Sequence, residues 1–303
     1  MEERWVTING HHVLIKDGEA QFARKQTESK QIDIHTDTKP MTFEEKENRL
    51  MEAYKKTGIN FVVKGMNNIP GDTLDMVCST VEDHLAKYDK EGFILDEVRI
   101  DADKFNENEK ETVYASMSNT GLLSLNPHFF SKTKAELNAS FQEDVESSWH
   151  PKGDASSIII HELGHAKLNM NLLNMTNKND GDIADWRQLY NYCHEANKLT
   201  LPSERITNSS AKYLFEKMQT LEHDCNTDKN ILKEWGASHE LHYSLYFWAN
   251  PEHSYRWGVS KYGSTSVHEM VAEAYADVVV NGKDASFVSK KVYKEFIEKE
   301  SNK

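Results

Sequence analysis

The string His161-Glu162-Leu163-Gly164-His165 directly follows the apolar run Ile158-Ile159-Ile160, and nothing else in the chain restricts its folding as tightly. Two residues four apart on a helix project from one face, so His161 and His165 can hold one divalent cation with Glu162 beside them. On a helix the pattern H-E-x-x-H is a zinc-hydrolase signature, its Glu placed as a general base. Asp154 stands where the N-cap of that helix belongs, its carboxylate able to accept backbone N–H groups that lack helical partners. A catalytic zinc takes three protein ligands and keeps one position for water, so the two histidines need a third ligand from elsewhere.

The third ligand separates the possible classes. A metzincin carries Gly three residues after the second His and another His three beyond, but Leu168 and Asn171 occupy those places, which excludes that class. A thermolysin-like site takes its Glu from the next helix, and the first Glu after the motif, Glu195, is too distant to fit that arrangement well. The best candidates lie far downstream, between Lys261 and Asp277. Glu269 and Glu273 are four apart and share a helix face, while Val271, Ala274, Tyr275 and Val278 can bury the other side. Two carboxylates on one face of an otherwise apolar helix are costly to bury without a cation, and two histidines need a carboxylate partner.

A chain of 303 residues can bury one large core or two modest ones without a metal or disulfide staple. Its 38% hydrophobic and 28% charged residues fit a globular protein with a solvated surface. The net charge of −13 argues against a nucleic-acid partner, because phosphate contacts need clustered Lys and Arg. Cys78, Cys193 and Cys225 are odd in number and widely spaced, so neither a disulfide framework nor a CxxC metal knuckle is expected. No signal peptide and no membrane span is read in the sequence, so a reducing, cytoplasmic setting is expected.

Along the chain, Trp5 to Ile15 reads as a hairpin turning at Asn9-Gly10, and residues from Glu19 to Pro40 as a polar linker. His11 and His12 are neighbours on a strand and point to opposite faces, which suits surface positions better than a shared ion. Residues 1–40 thus form an N-terminal hairpin and linker, ahead of one domain over 41–303. Helices are expected over Thr42 to Thr57, from an opening at Pro70-Gly71-Asp72 to about Lys90, and over Thr133 to Trp149, the last broken by His150-Pro151-Lys152-Gly153. Strands are expected near Ile59 to Lys64, Phe93 to Ile100 and Val113 to Leu125, the last interrupted around Gly121. A polar loop, Asn174 to Gly181, is followed by helical segments near Asp182 to Lys198, Ser209 to Cys225 and Lys229 to Ala249. The closing helices run over Thr265 to Val280 and Asp284 to Glu300.

Other chemistry-bearing residues read as packing or surface positions. His223 and the pair His239 and His242 lie in helical segments, and Tyr243 stands where a second H-E-x-x-H would need its His. Cys193-His194-Glu195 has nucleophile and base types, but neighbours on a helix do not face each other. Tyr243, Tyr246, Phe247, Trp248, Tyr255 and Trp257 suit a core, with a substrate pocket as the other use.

Tyr262, followed seven residues later by Glu269 within E-x-x-A-E-A-Y, resembles the C-terminal signature of gluzincin peptidases related to the catalytic domain of anthrax lethal factor. Similar domains occur in phage-encoded head-morphogenesis and capsid-associated proteins. The resemblance covers roughly Tyr114 to Val280, and it implies Zn2+ held by His161, His165 and Glu269. It implies Glu162 and Tyr262 as catalytic residues and Glu273 as a carboxylate behind the ligands; such a carboxylate can hold a histidine N–H, a task for which Asp277 is the poorer candidate. It further implies an α+β fold: a mainly helical zincin-like metallopeptidase with a small mixed sheet, an active-site helix and a helical lower lobe, the cleft lying between lobes. Gly121 to Leu125 is similar to the edge strand that precedes the zinc helix in these enzymes and can pair with an extended peptide. The function implied is hydrolysis of peptide bonds by a metal-activated water. The alternative is a phage structural or assembly protein that keeps the site without turnover. Expected partners are a polypeptide substrate and phage structural proteins, with no nucleic acid and no membrane, in the bacterial host cytoplasm or on the virion.

Overall fold

The computed structural model describes residues 3–8, 11–16, 19–21, 40–88, 92–106, 109, 112–175, 212–213, 216–217, 220, 259–263 and 267–298. At the N-terminus β1 (Glu3–Ile8) and β2 (His11–Lys16) pair antiparallel with Ile8 opposite His11. Asn9-Gly10 is left as the connection, a dipeptide that tolerates the positive φ of tight hairpin turns. A third strand, β3 (Glu19–Gln21), pairs antiparallel with β2, with Lys16 opposite Glu19. It corrects the expectation of a linker beginning at Glu19. Asp17-Gly18 is a second hairpin dipeptide, and its local signal outweighs the polar composition that follows. The rest of the expected linker, residues 22–39, lies outside the described residues.

The chain divides into two compact units, one of Met1–Glu143 and Asp154–Ala166, the other of Asp144–Gly153 and Lys167–Lys303. In the first, α1 (Phe43–Thr57) begins with a capping box. Thr42 Oγ1 accepts from the Glu45 N–H at 3.2 Å, and Glu45 Oε2 accepts from the Thr42 N–H at 2.6 Å. Two donors that the first turn cannot satisfy are thereby paired. The helix packs on α2 (Gly71–Lys87), and Arg49 of α1 forks to Asp75 at 2.6 Å, Ser79 at 2.9 Å and Glu82.

Four strands form a mixed sheet in the order β4-β5-β7-β6: β4 (Asn60–Val63), β5 (Glu97–Ile100), β6 (Ala115–Met117) and β7 (Leu122–Leu125). β4 with β5 and β5 with β7 are parallel, while β6 with β7 is antiparallel. The helices and this small mixed sheet give the α+β class read from the sequence. The expectation that Gly121 to Leu125 is an edge strand is overturned: β7 is internal, with β4 and β6 outermost among the described residues. Gly121, at φ 87°, folds the chain back so closely that a Cβ there would stand 3.0 Å from the Asp96 nitrogen. Its carbonyl accepts from the Asp96 and Glu97 N–H groups at 2.9 and 3.2 Å, which seats β7 against β5 and leaves β6 outside. Leu123, Ser124 and Leu125 are all buried, as an internal strand covered on both faces requires.

Beyond the sheet, Asn126 caps the short α3 (Pro127–Phe130), its side chain accepting from the His128 N–H at 3.0 Å. α4 (Lys134–Glu146) opens with Thr133 and Glu136 paired reciprocally, at 2.9 and 3.3 Å. It ends short of the expected Trp149 because Ser148 takes φ 60°, a left-handed conformation that stops a helix. Asp154 precedes the motif helix α5 (Ser156–Met175), and its Oδ1 accepts from the Ser156 N–H at 2.8 Å. Ile159, Leu163, Ala166, Leu168 and Leu172 are fully buried along it, so its polar groups sit inside an apolar setting.

In the second unit α6 (Val267–Asn281) packs on α7 (Phe287–Phe296), with Tyr275 stacked on Tyr293 at 5.7 Å between ring centroids. Asp277 accepts from the Ser286 N–H at 2.9 Å and from Asn281 Nδ2 at 2.7 Å, fixing the turn into α7. The helical segments expected at 182–198, 209–225 and 229–249 lie outside the described residues, except that 212–213, 216–217 and 220 are helical. Cys193-His194-Glu195, His223, His239, His242 and the aromatic group from Tyr243 to Trp257 also lie outside them. No helix among the described residues is long and apolar enough to cross a membrane.

Candidate metal centre

Helical spacing places His161 and His165 one turn apart on α5, with ring centroids 4.9 Å apart and ring planes at 82°. His161 is buried and His165 half-buried. Glu269 comes from the first turn of α6 and is also half-buried. One ligand atom from each of His161, His165 and Glu269 lies within 4.8 Å of the others, so these three residues can hold one metal ion. Two imidazoles and one carboxylate form the donor set of a metal site that keeps a coordination position open.

Glu162 adjoins His161 on α5 and is buried. Tyr262 belongs to the turn formed by Lys261, Tyr262 and Gly263. The backbone of that turn is pinned to the segment following α4: the Lys261 N–H donates to the Ser148 carbonyl and the Tyr262 N–H to the Trp149 carbonyl, both at 3.1 Å. Lys261 Nζ also donates to the Ser147 carbonyl, and burial lowers the Lys261 pKa below its ordinary value. The Tyr262 ring stacks on Trp149 at 6.2 Å and meets His150 edge-on at 5.4 Å.

Glu273 lies one turn after Glu269 on α6 and is only 1% exposed. Its carboxylate lies 3.0 and 3.1 Å from His150 Nδ1 and accepts from Ser260 Oγ at 2.8 Å. Ser260 Oγ in turn accepts from the Gly263 N–H at 2.8 Å. The histidine that Glu273 pairs with here is His150, which lies outside the expected ligand set. In the sequence, His150-Pro151-Lys152-Gly153 carries only a helix-breaking signal. No spacing rule links His150 to α6, so no local pattern marks the pair.

No family profile, curated protein or solved structure matches the chain.

Proposed function

We propose that this chain is a zinc-dependent peptidase of gluzincin type, with His161, His165 and Glu269 as the metal ligands. The observation that carries the reading is that the two histidines of H-E-x-x-H and one distant carboxylate bring ligand atoms within 4.8 Å of one another. Zinc bound there would lower the pKa of a water towards neutrality and polarise a substrate carbonyl. Glu162, fixed next to His161, takes the proton from the attacking water as its oxygen bonds to the carbonyl carbon. When the C–N bond breaks, Glu162 returns that proton to the leaving amine. The Tyr262 hydroxyl donates a hydrogen bond to the carbonyl oxygen as negative charge develops on it, an interaction strongest in the transition state. A polypeptide is the substrate this chemistry serves.

The test is cleavage of a broad peptide library by the full chain loaded with zinc. The wild type is expected to cleave, and Glu162→Gln to keep the metal while losing turnover by at least about a hundredfold. Bound zinc with no cleavage by the wild type would contradict the peptidase reading and favour a structural or assembly protein that retains the site.

A further inference from the structure

Five residues outside the proposed ligand set, Ser148, Trp149, His150, Ser260 and Glu273, converge on the turn that carries Tyr262. Ser148 and Trp149 offer their carbonyls to consecutive N–H groups of Lys261 and Tyr262. Trp149 and His150 place rings against the Tyr262 ring from two directions, one stacked and one edge-on. His150 is itself anchored by the buried Glu273 carboxylate, which also holds the Ser260 hydroxyl, and Ser260 holds the Gly263 N–H on the far side of Tyr262. There is no slack for a side chain at that glycine, since a Cβ on Gly263 would stand 3.1 Å from Ser260 Oγ and 3.3 Å from the Met270 Cα. The segment Ser147 to His150 even accepts a left-handed Ser148, at φ 60°, to make these contacts. Such a conformation costs a non-glycine residue roughly 1 kcal/mol and persists only where surrounding contacts over-determine it.

We propose that His150 is a positioning residue for Tyr262, acting through the Glu273 and Ser260 network that locks the 260–263 turn. Its chemical effect rests on the peptidase reading above, whereas the positioning itself does not. A hydroxyl that must meet an oxygen developing charge is effective only when held within a fraction of an ångström of the productive place. A tyrosine on a short turn has no helix or strand to hold it. The network supplies that rigidity from the two residues flanking Tyr262 and from its ring faces.

Two measurements on the full-length chain decide the matter. Amide hydrogen exchange at Lys261, Tyr262 and Gly263 is expected to speed up about tenfold in His150→Ala and in Ser260→Ala. His150→Asn, whose side-chain amide can donate to Glu273 much as Nδ1 does, is expected to restore most of the protection. Unchanged exchange in the Ala variants would overturn the proposal, and Ser260→Ala carries the test if His150→Ala does not fold. In peptide cleavage, His150→Ala is expected to lower kcat about tenfold with KM nearly unchanged, and to add no further loss in a Tyr262→Phe background. Additive losses would overturn the proposal, because His150 would then act by another route. A wild type that cleaves nothing defeats the peptidase reading alone, and the exchange experiment still decides the role of His150.

Discussion

His150 Nδ1 lies 3.0 and 3.1 Å from the two carboxylate oxygens of Glu273, across 123 residues of sequence. Glu269 and Glu273, one turn apart on α6, thus have different duties: the first groups with His161 and His165, the second secures the turn that carries Tyr262.

Glu273→Ala is expected to destabilise the fold by about 2 kcal/mol, because the buried Ser260 hydroxyl and the half-buried His150 ring lose their acceptor. Zinc binding is expected to persist, since Glu269 is the proposed carboxylate ligand. Denaturant unfolding together with metal analysis checks this. Unchanged stability with lost metal would reverse the assignment of the two carboxylates.

His84 on α2 provides a pH-dependent prediction. Its ring is buried against Tyr88 and Phe93, at 4.7 and 5.2 Å between centroids. Burial, with a smaller contribution from Lys87, lowers its pKa from 6.5 to about 4. Between those values the unfolded chain binds the proton and the folded chain does not, so stability rises with pH across the window and falls on acidification. At about 1.4 kcal/mol per unit, His84 alone should remove on the order of 3 kcal/mol between pH 7 and pH 4. Urea unfolding of wild type and His84→Leu at both pH values checks the sign. The variant should show the smaller loss, and equal losses would contradict the assignment.

Gly121 is the hinge that makes β7 internal. Gly121→Ala must place a Cβ at positive φ and within 3.0 Å of the Asp96 backbone nitrogen, a cost of about 2–4 kcal/mol. A lower unfolding midpoint with the sheet retained is the expected outcome, measured by circular dichroism in denaturant. A variant as stable as the wild type would mean the turn tolerates a side chain.

The parts of the fold that local rules govern can be read from the residues. Four-residue spacing on α5 aligns His161 with His165, Thr42 and Glu45 form the start signal of α1, and Asn9-Gly10 marks the first hairpin. Glu269 was readable as one of two carboxylates on an amphipathic helix, while the choice between it and Glu273 came from the likeness to a family signature. Strand order was not readable in the same way. Whether Leu122–Leu125 is an edge or an inner strand depends on pairing with β5 on one side and β6 on the other, and periodicity along one strand carries no information about its neighbours. β3 was overlooked because Asp17-Gly18 is a two-residue signal next to a long polar stretch. His150 was hidden for a third reason: a histidine joined to a carboxylate on a distant helix leaves no local pattern at all.

The central claim is that His161, His165 and Glu269 form one zinc site. Equilibrium dialysis of the full chain against zinc, followed by metal analysis, tests it most directly. About one zinc per wild-type chain is expected, with none retained at comparable affinity by His161→Ala, His165→Ala or Glu269→Ala. A wild type that binds no zinc, or three variants that bind it as the wild type does, would contradict the account.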